Sequence, residues 1–188
     1  MCESKSTVRS RMRALRGELK TAAADAEIFQ RLFSFSPFEE GKDYFVYYSY
    51  GSEADTRAIV RELLRRGKRV YLPHTDGENM YLVRYVGQTM RLGAYGIEEP
   101  IGEDENVVPD VCVVPFLAAD ERCRRLGYGG GYYDRYFAKL RRSSAKKCFT
   151  VGIGYDFQIL TEIPCEPHDA ALDAIVTDRR VIIGKTED

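Results

Sequence analysis

The chain has 188 residues, and its 28 Lys and Arg against 29 Asp and Glu leave a formal net charge of −1. That length suits one compact domain over residues 1–188, and 44% hydrophobic residues are enough for a sizeable core. The charge balance argues against a protein that coats nucleic acid, and the 30% charged and 12% aromatic residues argue against disorder.

From Val8 the apolar residues Val8, Met12, Leu15, Leu19, Ala22, Ala26, Phe29 and Phe33 recur in steps of three and four, which predicts one long helix or a broken pair with a continuous stripe. Tyr44 to Tyr48 reads as a buried strand and Ser49 to Asp55 as a polar turn, with Asp55 capping the next helix. That helix carries Ile59, Val60, Leu63 and Leu64 and ends at Gly67; Arg69 to Leu72 is a strand stopped by Pro73. Strand, helix and strand within this span predict a βαβ crossover and so a parallel sheet.

Met80 to Val86 predicts a shorter strand, and Gly93 to Asp110 a loop-rich stretch. Val111 to Val114 is apolar throughout, as in a strand covered on both faces. A glycine-rich turn at Gly127 to Gly131 leads into a helix of Tyr133 to Arg141, and strands follow at Phe149 to Ile153, Ala174 to Thr177 and Val181 to Ile183. The expected fold is a single three-layer α/β domain with a mostly parallel central sheet and helices on both faces.

Five cysteines without a CxxC pair, with only His74 and His168 as partners, exclude a zinc ribbon and disfavour a disulfide framework. No apolar stretch reaches the about 18 residues of a membrane span, so a cytoplasmic protein with no membrane partner is expected.

Arg125-Leu-Gly-Tyr-Gly-Gly-Gly-Tyr-Tyr-Asp134 is the most informative segment. Its glycines let backbone N–H groups converge, and the following helix adds its positive end, so phosphate is the natural guest. Arg124 and Arg125 would contact phosphate oxygens and Asp134 would hold Mg²⁺. No Lys-Ser/Thr follows the glycines, which excludes a Walker loop, and Tyr132 stands where a dinucleotide fingerprint needs glycine.

This string, preceded by Val113-Val-Pro115 and Asp120, closely resembles the signature of the 5-formyltetrahydrofolate cyclo-ligase family. The resemblance continues through Lys5 and Arg9, Glu53-Ala-Asp-Thr56, Gly67 to Pro73, Gly96-Ile-Glu-Glu-Pro100, Val151-Gly152 with Gln158, Pro167-His-Asp169, Asp173 and Ile175-Val-Thr177, in the expected order over the whole chain. Two departures stand in the lead-in to the glycines: Phe116 follows Pro115 where the family usually has glycine, and Cys123 stands where it often has glycine.

The resemblance implies ATP-dependent cyclisation of 5-formyltetrahydrofolate to 5,10-methenyltetrahydrofolate, with release of ADP and phosphate and a requirement for Mg²⁺. It implies ATP binding by Lys5, Arg9, Arg125, Leu126, Gly127, Tyr128, Gly129, Gly130, Gly131, Tyr132 and Tyr133, with Arg125 and Lys5 catalytic. Folate contacts fall to Tyr48, Glu53, Tyr132 and Tyr133, and metal contacts to Asp134 and Asp169, with Asp173 as a less certain neighbour. The implied partners are ATP and the folate, polyglutamylated or not; nucleic acid is not among them, and a monomer is expected. The other reading is a non-catalytic folate- or nucleotide-binding regulator on the same fold. A decayed relative should have lost Lys5, Arg125, Asp134 or Asp169, and all four are present.

Overall fold

The computed structural model describes residues 3–93, 96–143, 146–164, 166 and 171–184. Helix α1 (Lys5–Leu19) opens on Ser4, whose hydroxyl accepts the Thr7 N–H, and α2 (Ala22–Phe33) opens on Thr21, whose hydroxyl accepts that of Ala24. The helices are therefore a broken pair, and the break resets the apolar stripe. In α2 it is Ile28 and Leu32 that are buried, while Ala22 and Ala26 stay outside. At the end of α1, Arg16 is 5% exposed and Leu19 is 49% exposed, the reverse of the apolar expectation.

After α3 (Ser36–Glu39), β1 (Asp43–Val46) and α4 (Arg57–Arg65) form the first strand and crossover helix. Asp55 caps α4 from outside, its Oδ1 accepting the Arg57 N–H at 2.9 Å. Strand β2 (Arg69–Asp76) does not stop at Pro73 but pairs along its length with β3 (Asn79–Tyr85). Strand β1 pairs with β2 only as far as Tyr71, so beyond it β2 has one neighbour and tolerates a residue without an N–H.

The stretch expected as loop holds a strand, β5 (Glu98–Pro100), paired with β4 (Met90–Leu92). Buried Glu99 docks this hairpin on β2: Oε1 accepts from the Thr75 hydroxyl at 2.6 Å, and Oε2 lies 2.9 Å from His74 Nδ1. Such a contact is invisible to local periodicity.

The rest runs β6 (Val111–Pro115), β7 (Ala118–Asp120), β8 (Arg125–Leu126), α5 (Tyr132–Ser143), β9 (Phe149–Ile153), β10 (Ile159–Leu160), β11 (Ala174–Val176) and β12 (Val181–Ile183). The main sheet has the order β12-β11-β9-β6-β1-β2-β3, parallel from β11 to β2 and antiparallel at both edges. Residues of α2, α3 and α4 pack on one face against Tyr44, Val46, Val113 and Val151, and Tyr136 and Phe137 of α5 pack on the other against Phe45, Cys112 and Val114. This is the three-layer α/β arrangement. Helix α1 belongs to neither layer: Val8 and Met12 pack on Leu117, Ala118 and Leu126, beside the smaller β10-β7-β8 sheet.

At the amino end of the strands, Asp110 binds the N–H groups of Lys42 and Asp43 and the Lys146 ammonium. Burial works to raise its pKa, but these partners outweigh it and bring it to about 2. The carboxylate thus contributes its full stability above the ordinary value near 3.8 and loses it as pH falls toward about 2. Asp110→Asn is expected to cost roughly 1–2 kcal/mol in urea denaturation at pH 7, with the gap to wild type closing by pH 2–3. A gap independent of pH would show that charge is not the cause.

Candidate active site

From β1 the chain moves outward to β2 and β3, and from β6 outward the opposite way to β9 and β11. The carboxyl ends of β1 and β6 are therefore a topological switch point, where open parallel sheets leave a crevice. Two loops flank it, 47–56 after β1 and 116–131 after β6.

The first loop is tied at both ends. The Tyr47 hydroxyl donates to the Ala54 carbonyl at 3.0 Å, and the Ser49 N–H donates to the Thr56 hydroxyl at 2.9 Å. Glu53 sits on it with Oε2 accepting the Tyr50 N–H at 2.9 Å, while Lys20 Nζ donates to its carbonyl at 2.5 Å. The Arg57 guanidinium lies 5.1 Å above the Tyr48 ring.

The second loop begins with Phe116, a bulky residue accommodated because two neighbours lack a Cβ: one added at Gly152 would stand 3.1 Å from its ring, and one at Gly154 2.6 Å. Asp120 shapes the turn that follows, accepting the N–H groups of Arg122 and Arg124 through Oδ1. Cys123 adopts a left-handed φ of 57° there, with its side chain buried, so the turn keeps its shape without glycine. Arg124 pairs with Asp120 at 2.6 Å.

In the cradle Gly129 and Gly131 take φ of 102° and 69°, conformations that a side chain would strain. The Gly127 carbonyl accepts Arg9 Nε at 2.8 Å, which fastens the cradle to α1. The Tyr132 hydroxyl donates to the Gly77 carbonyl at 3.0 Å, turning that ring toward the β2–β3 hairpin, whereas Tyr133 stacks on Phe45 with centroids 5.9 Å apart. Leu126 is buried against α1.

Arg125 lies beside the glycine cradle, its guanidinium 3.1 Å from where a Cβ on Gly127 would stand. Its side chain is 4% exposed, Nη2 binds Asp134 Oδ1 at 2.6 Å, and its Cζ lies 5.8 Å from the Tyr133 ring centroid. Its Nε is buried and has no acceptor among the described residues. Such an orphan costs about 1–3 kcal/mol unless something arrives to receive it. Burial first, then neighbouring charge including Glu53, pushes the phenols of Tyr128 and Tyr133 well above the ordinary value. Both therefore remain hydroxyl donors near the Glu53 carboxylate.

Beside the cradle lies an open cleft of about 350 Å³ lined by Ser6, Arg9, Ser10, Arg13 and Tyr128. Arg13 and Arg16 both lie over the Tyr128 ring, at 5.6 and 5.4 Å. Neither arginine stands out in the sequence, although Lys5, Arg9, Arg13 and Arg16 follow helical spacing along α1. Lys5 itself, in the first turn of α1, lies 3.0 Å from Glu166.

Among the described residues no three His, Cys, Asp or Glu side chains gather as a metal site. A Mg²⁺ held by one or two carboxylates and by phosphate oxygens needs no such cluster. Asp134 fits that role, since only one of its oxygens is bound by Arg125 and its side chain remains partly exposed. Asp169 and His168 lie outside the described residues. Asp173 is positioned elsewhere: it binds the N–H and hydroxyl of Thr150, both at 2.7 Å, at the amino end of β9.

Over residues 1–178 the sequence matches the 5-formyltetrahydrofolate cyclo-ligase family. The chain belongs to that family. It is 32% identical over 182 residues to the 5-formyltetrahydrofolate cyclo-ligase of Escherichia coli strain K12, covering 93% of this chain and 98% of that one. It is 37% identical over 145 residues to the probable 5-formyltetrahydrofolate cyclo-ligase of Schizosaccharomyces pombe, covering 69% and 71% of the two chains. The solved 5,10-methenyltetrahydrofolate synthetase of Aquifex aeolicus superposes with a TM-score of 0.82 at 29% identity, covering 98% of this chain and 96% of that one. The chain is thus a ligase-type enzyme of this family, and no helix among its described residues is long and apolar enough to cross a membrane.

Two glycine substitutions separate the strained cradle from ordinary helix. Gly129→Ala is expected to lower the unfolding free energy by roughly 1–2 kcal/mol. Gly17→Ala, inside α1 with open space around it, should raise it by about 0.5–1 kcal/mol. Urea denaturation showing the same sign for both would contradict the cradle geometry.

Proposed function

We propose that this chain cyclises 5-formyltetrahydrofolate to 5,10-methenyltetrahydrofolate, coupled to hydrolysis of ATP to ADP and phosphate. Family membership and the ligase names of its relatives support the reaction. The observation that carries the site assignment is Arg125, a buried guanidinium beside the glycine cradle, with an Nε–H that lacks an acceptor among the described residues.

The chemistry accounts for the residue types. The formyl oxygen attacks the γ-phosphorus and ADP leaves, giving a phosphorylated imidate; N10 then adds to the activated carbon and loses its proton. Departure of phosphate leaves the methenyl bridge. No protein nucleophile is needed, so the work is positioning and charge neutralisation. In this reading, Arg9 and the cradle N–H groups hold the phosphate chain in the cleft along α1, with Lys5 at its end. Arg125 neutralises the oxygens of the transferring group. Glu53 accepts hydrogen bonds from the pterin ring, with Tyr48, Tyr132 and Tyr133 around it. Asp134, joined by Asp169, would hold Mg²⁺, which supplies positive charge on the phosphates. The reading also includes a cytoplasmic monomer that accepts the folate with or without a polyglutamate tail.

Purified protein given ATP, Mg²⁺ and 5-formyltetrahydrofolate should raise the near-ultraviolet absorbance of the methenyl product. Asp134→Asn should reduce that turnover by about 100-fold or more in the protein that remains folded, with thermal unfolding lowered by several degrees because buried Arg125 loses its carboxylate. No turnover by folded wild-type protein would overturn the reaction, and unchanged turnover of the variant at limiting Mg²⁺ would remove Asp134 from the metal.

A further inference from the structure

Arg16 is a charged residue on a buried helix position, four residues after Met12 in the stripe that packs on Leu117, Ala118 and Leu126. It is 5% exposed, and its close contacts among the described residues are neutral. Nε donates to the Ser52 hydroxyl at 3.1 Å, Nη1 lies 3.5 Å from the Phe116 carbonyl, and Cζ stands 5.4 Å from the Tyr128 ring centroid. Burying a guanidinium without a carboxylate in direct contact is unfavourable, and an apolar residue would serve packing better.

Its three contacts explain the placement. Ser52 adjoins Glu53 on the loop after β1, Tyr128 lies within the glycine cradle, and Phe116 begins the segment that leads from β6 to that cradle. One rigid, planar group thus touches both loops of the crevice from below, on a helix whose Arg9 also grips the cradle.

We propose that Arg16 is a positioning residue that couples the two halves of the site, so that ordering of the Glu53 loop by folate pre-orders the glycine cradle for nucleotide, and the reverse. The proposal rests on the assignment of folate to the first loop and ATP to the second. Coupling of this kind is reciprocal: each ligand must tighten the other by the same factor.

Calorimetric titration of a non-hydrolysable ATP analogue with Mg²⁺, without and with saturating 5-formyltetrahydrofolate, tests it, together with the reverse titration. Wild type is expected to show tightening of about 10-fold, equal in both directions. Arg16→Gln should bring the ratio to within about twofold of one, and Arg16→Lys, which cannot span both loops, should retain only part of it. Loss of packing lowers the fraction of protein that titrates, not the ratio, so the ratio reports coupling. If Arg16→Gln does not fold, Ser52→Ala, which removes only the Nε acceptor, carries the test and should lower the ratio several-fold. A wild-type ratio of one, or a wild-type ratio retained in the folded variants, overturns the coupling. Failure of wild type to bind either ligand overturns the site assignment instead.

Discussion

Adjacent parallel strands whose connections leave in opposite directions cannot cover the space between their own carboxyl ends. That constraint, at β1 and β6, organises this molecule. The loop after β1 brings Glu53 to one side of the gap, and the loop after β6 brings Arg125 and four glycines to the other. Helix α1, outside both helical layers, lies along the second loop and brings Arg9 to the glycine cradle.

The near-zero net charge hides a polarised distribution. Arg9, Arg13 and Arg16 run along α1 toward the cradle, and buried Arg125 adds a fourth positive charge. Among the described residues only Arg125 of these four meets a carboxylate directly, and that carboxylate, Asp134, keeps an oxygen for another partner. A site prepared for anions is expected to hold excess positive charge before its ligand arrives, and a buried donor without an acceptor is the same preparation at the level of one atom.

Elements whose stability is local were legible in the sequence. Strand β6 is apolar at every position, α4 has its stripe between Asp55 and Gly67, and the glycine run names its own turn. What escaped was decided by distant partners. Pro73 continues a strand because β1 ends beside it; Glu98–Pro100 becomes a strand because Glu99 finds Thr75 and His74. Arg16 is buried because two loops converge on it, and Asp173 is bound to Thr150 at the amino end of β9. Of the candidate site residues, the segment from Arg125 to Asp134 was readable as a phosphate cradle from its glycines, arginine and aspartate, whereas Lys5, Arg9 and Glu53 came only from family resemblance, because neither their type nor their spacing is distinctive.

The most direct test of the whole account is a crystal structure of the chain with 5-formyltetrahydrofolate, Mg²⁺ and a non-hydrolysable ATP analogue. The terminal phosphate is expected within hydrogen-bond distance of Arg125 and the cradle N–H groups, with the pterin edge on Glu53 across the β1–β6 crevice. A nucleotide seated away from the cradle, or a folate bound at a distance from which its formyl oxygen cannot reach that phosphate, would contradict it.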